Sequence, residues 1–237
     1  MQIKQLLTYD QSGGGKTAVI ETTLPPHAHL PLTRHPEERL YYILDGRGIM
    51  SIYDPAPEGD VYELRQDIAI YLTPGIDHEI INIGDGPLRY ITFLVKGGIV
   101  PDGGLNWAAV SQRGVVVEAP VVGSGVAVTK VLDEGSNPSQ DEGQHLRIRD
   151  IWLRRPQKFA NAEHLTLAPG RATRLHTHYD TCETSYILYG EGVFVWDDQE
   201  IPFQAGSVVS YPLGVMRKVI NTGRFPLAYV LIASFLD

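Results

Sequence analysis

Residues 42–48 read YILDGRG, and residues 186–192 read YILYGEG. Each is an apolar, aromatic run closing on glycines, the composition of a strand entering a tight turn. A second matched pair follows in the same order: residues 82–90 read NIGDGPLRY and residues 221–229 read NTGRFPLAY. The chain therefore contains one structural unit twice. The first pair is offset by 144 positions and the second by 139. The difference falls between the two blocks, where the first copy carries Asp54, Pro55, Ala56, Pro57, Glu58 and Gly59 and the second has no counterpart. Insertions of that composition belong in surface loops.

Working outward, each copy continues as strand and turn. The first contains GIMSIY, AIYLT and ITFLV, and the second HLTLAPG, GVFVW and SVVSYP. Alternating side chains make these half-buried strands. Many short strands whose edges need protection predict an all-β chain of two closed or nearly closed antiparallel β-barrels, or jelly rolls, with little helix. The expected domains are 1–98 for the N-terminal barrel, 99–143 for an inter-barrel segment, and 144–237 for the C-terminal barrel. Within the middle segment GVVVEAP and GVAVTKVL read as strands and EGSNPSQDEG as an exposed loop.

Composition narrows the partners. The 237 residues are 43% hydrophobic and 20% charged, with 24 Gly and 16 Pro, which is an ordinary globular composition. The formal net charge is -8 and no run of Lys or Arg forms a phosphate-tracking stripe, so the expected partner is a small molecule, with no nucleic acid and no membrane. The N-terminal residues MQIKQLLTYDQSGGGK lack the apolar core of a signal peptide, and no apolar stretch is long enough to cross a bilayer. A cytoplasmic location is expected. The single cysteine, Cys182, admits no internal disulfide and fits a reducing compartment.

The second copy carries a metal-ligand pattern. His176 and His178 lie two apart, so on a strand both enter the barrel while Thr177 faces out. A turn through Tyr179, Asp180 and Thr181 returns the chain so that Glu183 projects inward from the next strand. Two imidazoles and a carboxylate on one face suit Fe(II), Mn or Zn and leave coordination positions open. By the same alternation Cys182 points out of the barrel and reads as inert.

Gly170, His176, His178, Glu183 and Gly190 are spaced G-x5-H-x-H-x4-E-x6-G, which resembles the first motif of the cupin superfamily. The second motif of that superfamily is matched by Gly206, Pro212, Gly214 and Asn221, but Arg217 stands where a fourth, histidine ligand is expected. The resemblance implies two tandem cupin-type barrels (double-stranded β-helices) and one divalent metal ion, Fe, Mn, Ni or Zn, in the C-terminal barrel. A guanidinium cannot ligate metal and stays charged. Either the ion keeps His176, His178 and Glu183 alone, with Arg217 as a bidentate clamp on a substrate carboxylate or phosphate, or the site is a metal-free anion pocket. His164, on the preceding strand, is a spare imidazole, and Tyr186 and Tyr211 read as barrel wall.

The first copy is degenerate. Aligning the two heptapeptides and allowing one residue of slippage places Thr33 at the first histidine, His35 at the second and Arg39 at or beside the glutamate. The second motif keeps its histidine as His78, followed by Asn82, while Asp67 replaces the first glycine. A second metal site from His35, His78 and Glu38 or Glu37, or one that includes His29, is open from spacing. His27 and His29 otherwise suit an exposed turn.

The resemblance implies a metal-dependent bicupin enzyme acting on a small anionic molecule, an oxyacid, keto acid or phenolic acid, by dioxygenase-like or isomerase- or hydrolase-like chemistry. The alternative is a non-catalytic bicupin that binds or senses a small acidic ligand. Cupins commonly pair through sheet edges, so a homodimer is expected.

Overall fold

A computed structural model describes residues 1–53, 59–97, 114–116, 129–130, 144–150 and 159–235 of the chain. Nearly all of it is strand. The one helical element among the described residues is a 3-10 turn at Tyr9–Gln11. The chain divides into two compact units: Met1–Leu6 with Ala18–Val131, and Leu7–Thr17 with Leu132–Asp237.

The first unit contains β1 (Gln2–Leu7), β2 (Thr17–Leu24), β3 (His29–Thr33), β4 (Glu38–Asp45), β5 (Gly48–Tyr53), β6 (Asp60–Leu64), β7 (Ile68–Leu72), β8 (Asp77–Asn82) and β9 (Leu88–Val95). One sheet runs β1-β2-β9-β4-β7 and the other β3-β8-β5-β6. From the middle segment, β10 (Gly114–Val116) and β11 (Thr129–Lys130) both pair antiparallel with β7. The turn-rich stretch 54–58 and most of 99–143 lie outside the described residues.

The second unit repeats the plan with β12 (Gln144–Asp150), β13 (Phe159–Leu167), β14 (Thr181–Tyr189), β15 (Glu191–Trp196), β16 (Gln199–Gln204), β17 (Val208–Tyr211), β18 (Arg217–Asn221) and β19 (Leu227–Phe235). Its sheets are β12-β13-β19-β14-β17 and β16-β15-β18. Each unit is an antiparallel jelly roll, as the duplicated pattern predicts.

Period-two alternation fills each interior. In the first barrel Ile68, Ile70 and Leu72 of β7 join Tyr41, Ile43, Met50, Ile80 and Tyr90 in one buried cluster. In the second, Leu165, Leu167, Ile187, Phe194, Tyr229 and Leu231 do the same. Each fully buried aliphatic chain contributes about 1.5–3 kcal/mol relative to exposure, so these inward rows hold the barrels closed.

The matched heptapeptides mark matched turns. Gly46 (φ +93) and Gly190 (φ +88) are both left-handed, and a Cβ there would come within 2.4 Å of Pro87 O and 2.8 Å of Pro226 O. Asn82 and Asn221 close equivalent loops: each donates Nδ2 to backbone carbonyls, and each Oδ1 accepts from the amide two residues on, Gly84 or Gly223, at 2.9 Å. Asp67, in the place of Gly206, adopts the same left-handed backbone (φ 64 against 84), an arrangement that aspartate tolerates better than most residues.

Leu7–Thr17 belongs to the second unit. The Gly13 amide donates to Ser210 Oγ at 3.0 Å, and the Thr17 and Ser234 hydroxyls lie 3.2 Å apart. A Cβ on Gly13 would stand 2.5 Å from Tyr211 O, so only glycine allows the chain this close to β17.

Candidate metal centre

Glu183 lies on β14, where it pairs with Tyr211 of β17. The chain ahead of β14 runs extended beside β18, with isolated bridges at Ala172 to Ile220 and His176 to Arg217. The His176 amide donates to Arg217 O at 3.1 Å, and the Arg217 amide donates back to His176 O at 2.9 Å. That bridge fixes His176 on the wall, and alternation carries His178 to the same face, its ring centroid 5.2 Å from that of His176. The Gly214 amide donates to His178 O at 2.9 Å and holds the return.

The ligand atoms of His176, His178 and Glu183 all lie within 4.8 Å of one another, the one such group among the described residues. His176 Nδ1 is 2.8 Å from Arg174 O. A carbonyl only accepts, so Nδ1 carries the hydrogen and Nε2 keeps its lone pair, the outer-sphere arrangement usual for a metal-bound histidine. His178 Nε2 is 3.1 Å from Glu183 Oε1.

Arg217 commits its guanidinium to the same carboxylate. Nε and Nη2 donate to Glu183 Oε2 at 3.0 and 2.7 Å, while Nη1 is 3.4 Å from Val215 O. The arginine is 2% exposed and its Cζ lies 5.2 Å from the Tyr211 ring centroid. Burial raises the Glu183 pKa, but the His178 hydrogen bond and the Arg217 charge outweigh it and the carboxyl lies below the usual range. Arg217, expected as a clamp on a substrate anion, is tied here to a protein carboxylate, because a buried guanidinium needs a compensating charge. The pairing leaves Glu183 Oε1 facing the imidazoles. The donor set fits a divalent ion on three protein ligands, with the arginine beyond them.

The cluster sits in a cavity of about 410 Å³ whose walls include Leu165, Phe194, Val219 and Leu231, with Glu163, Arg174 and Lys218 among its polar lining. Sequence reasoning missed all three of these polar residues. Glu163 lies in phase with the inward residues Leu165 and Leu167 of β13, and that phase was the available signal. Arg174 is two residues before His176. His164 lies out of phase with Leu165 and is absent from the lining, so it supplies no ligand. Cys182 is free, buried and off the lining, and burial raises its thiol pKa.

In the first barrel the register supports the slipped alignment. Thr33 pairs with His78 as His176 bridges Arg217, and Arg39 pairs with Leu72 as Glu183 pairs with Tyr211. The four equivalent positions therefore hold Thr33, His35, Arg39 and His78. His35 and His78 come together, ring centroids 5.5 Å apart, but the other two residues of the expected second site do not join them. Glu38 points to the opposite face of β4 from Arg39, fully buried, and accepts from the Tyr71 hydroxyl. His29 faces outward, its Nε2 2.8 Å from Glu79 Oε2. His78 is itself engaged. Its Nδ1 is 3.2 Å from Ile76 O, so Nε2 accepts from Tyr41 Oη at 2.8 Å. Burial, aided by His35 and Arg39, lowers its pKa to about 4 despite the Ile76 bond. Arg39 Nη2 reaches Glu37 at 3.5 Å.

The family model described as "Cupin domain" matches residues 20–94 and 163–233. An uncharacterized protein of Methanocaldococcus jannaschii, MJ1618, is 32% identical over 90 residues, covering 38% of this chain and 68% of that protein. The oxalate-binding protein of Thermotoga maritima is 32% identical over 95 residues, covering 40% and 76%. Among solved structures, a Bacillus subtilis oxalate decarboxylase superposes with a TM-score of 0.74 at 17% identity over 99% of this chain and 72% of that one. AerE from Microcystis aeruginosa superposes with 0.62 at 14% identity, covering 93% and 88%. No helix among the described residues is long and apolar enough to cross a membrane.

Proposed function

The chain belongs to the cupin family, and on that premise we propose that it is a metal-dependent bicupin whose second barrel acts on a small anionic molecule. The observation that carries this reading is the convergence of His176, His178 and Glu183 within 4.8 Å in a cavity. The oxalate-binding relative supports an acid as ligand. His176, His178 and Glu183 would hold a divalent ion, which supplies Lewis-acid polarisation of a carboxyl or carbonyl oxygen. Arg174 O holds the His176 tautomer. Arg217 orients Glu183 and keeps its charge from being buried alone. Leu165, Phe194 and Val219 exclude water from the bound acid.

A second reading rests on Arg217. With neutral imidazoles, the guanidinium and the Glu183 carboxylate sum to zero, which weakens the pull on a cation and suits an anion pocket without chemistry. Metal analysis of the purified chain separates the two. Near-stoichiometric Fe, Mn, Ni or Zn that His176→Ala abolishes supports the metal-dependent reading. A protein that binds oxalate by calorimetry yet takes up none of these metals on soaking supports the second and overturns the first.

A further inference from the structure

The segment Leu7–Thr17 joins β1 to β2, yet it belongs to the second unit. It is fastened to itself. The Ser12 hydroxyl donates to Tyr9 O at 2.8 Å and accepts from the Thr17 amide at 3.3 Å, and the Gly15 amide donates to Ser12 O at 3.1 Å. Gln11 Oε1 accepts from the Thr8 amide at 3.0 Å. Bonds of this kind withdraw the freedom that three successive glycines, 13 to 15, would otherwise give the loop. Gly13 and Thr17 are thereby held at a set separation.

These two residues grip β14 from behind the metal cluster. Glu183 faces the cavity, and alternation turns its neighbours Cys182 and Thr184 to the other side of the sheet. Thr17 reaches the peptide ahead of Glu183. Its hydroxyl lies 3.2 Å from Ser234 Oγ, and Ser234 Oγ donates to Cys182 O at 3.4 Å. Serine has one hydroxyl hydrogen, so Thr17 donates to Ser234. Both side chains are buried, which shields the relay from water.

Gly13 reaches the peptide that follows. Its amide donates to Ser210 Oγ at 3.0 Å, and Ser210 Oγ lies 3.1 Å from Thr184 Oγ1 and 3.5 Å from Glu183 O. The glycine also packs on the peptide between Tyr211 and Pro212, where a Cβ would stand 2.5 Å from Tyr211 O and from Pro212 N. Tyr211 is the register partner of Glu183, and two residues beyond Pro212 the Gly214 amide holds His178 O. The two relays end on the carbonyls of Cys182 and Glu183, the peptide groups on either side of the Glu183 Cα, so they set where its carboxylate can reach.

Resting on the metal-dependent reading above, we propose that Leu7–Thr17 is a positioning strap for the second-barrel metal centre, and that Gly13 and Thr17 are positioning residues that act on the ion through the backbone of Glu183.

The test is Mn(II) affinity of the full folded chain, measured at 25 °C in competition with a chelator, alongside the thermal unfolding midpoint of the metal-free chain. Gly13→Ala should weaken Mn(II) binding by about tenfold, the lower end of the loss seen when outer-sphere partners of metal ligands are removed. Thr17→Val, which keeps the shape and deletes the hydroxyl, should weaken it by about fivefold, the equivalent of one hydrogen bond. Thr17→Ser, which keeps the hydroxyl, should restore the affinity of the unaltered chain. The Thr17 pair decides the matter even if Gly13→Ala does not fold. A strap that only stabilises the barrel would lower the midpoint in these variants and leave the Mn(II) affinity of the folded chain unchanged, and that result overturns the inference while the metal-dependent reading stands. Equal losses in Thr17→Val and Thr17→Ser overturn the hydroxyl relay. If the unaltered chain takes up no Mn(II), or if uptake survives His176→Ala in full, the metal-dependent reading fails and takes the inference with it.

Discussion

The two barrels share a backbone plan but differ at a four-residue site, where the second has three donor side chains and the first has two. The second holds His176, His178, Glu183 and Arg217, and the first holds Thr33, His35, Arg39 and His78 in the same register positions. Each has an arginine at one of the four places, and the place differs. In the second barrel the arginine replaces a neutral donor and neutralises the surviving carboxylate, so three donors stay together. In the first it replaces the carboxylate, which removes the anionic ligand and leaves a cation beside two imidazoles. On the proposed reading, the residual charge, more than the count of histidines, is what distinguishes the two clusters as candidates for a cation. The first barrel has turned its histidine inward to other work: His78 is a buried neutral acceptor for Tyr41.

The sharpest way to break the contrast is Glu183→Gln. It removes the carboxylate ligand and leaves Arg217 buried without a counter-charge, so metal content should fall to background and stability by about 3–5 kcal/mol, read by elemental analysis and chemical denaturation. Arg217→His works in the other direction. It restores a fourth donor and relieves the positive charge, so metal affinity should rise by about tenfold to a hundredfold in competition with a chelator. An affinity equal to that of the unaltered protein would show that the guanidinium does not oppose the ion.

The first barrel makes the next prediction. The folded pKa of His78 is depressed to about 4 from an ordinary 6.5. Above pH 6.5 both folded and unfolded states carry it neutral and its contribution is fully present. Below 6.5 the unfolded chain binds a proton that the folded barrel refuses, so stability falls as pH drops toward 4, by about 3 kcal/mol in all. Denaturation between pH 7 and 4 should show this loss, and His78→Gln should flatten it. The smallest effect is that of Tyr41→Phe, which removes the hydroxyl donated to His78 and should cost about 1 kcal/mol. It should also leave metal content unchanged, since it touches only the barrel that lacks the metal cluster.

Much of this was legible in the chain. The heptapeptide pair and the Asn82 and Asn221 blocks encode turns that depend on local backbone geometry, and local geometry is written in residue type and spacing. The H-x-H of His176 and His178 is likewise a strand-period signal, and Glu183 follows from a short turn. Glu38 and Glu163 were not legible in the same way. From His35 to β4 the first copy is one residue shorter than the second, and sequence alone leaves open which of Glu38 and Arg39 then faces inward. The pairing of Arg39 with Leu72 settles it. Glu163 is an acid in a strand until Leu165 and Leu167 are seen to share its face.

What the amino-acid sequence determined by itself is the duplication, the all-β architecture and the grouping of His176, His178 and Glu183, because alternation and turn chemistry act over a few neighbouring residues. What only the tertiary structure decided is where the charges go. Arg217 lies 34 residues from Glu183 in the chain yet donates two hydrogen bonds to it, and a buried cation takes whichever anion the packing of strands brings within reach.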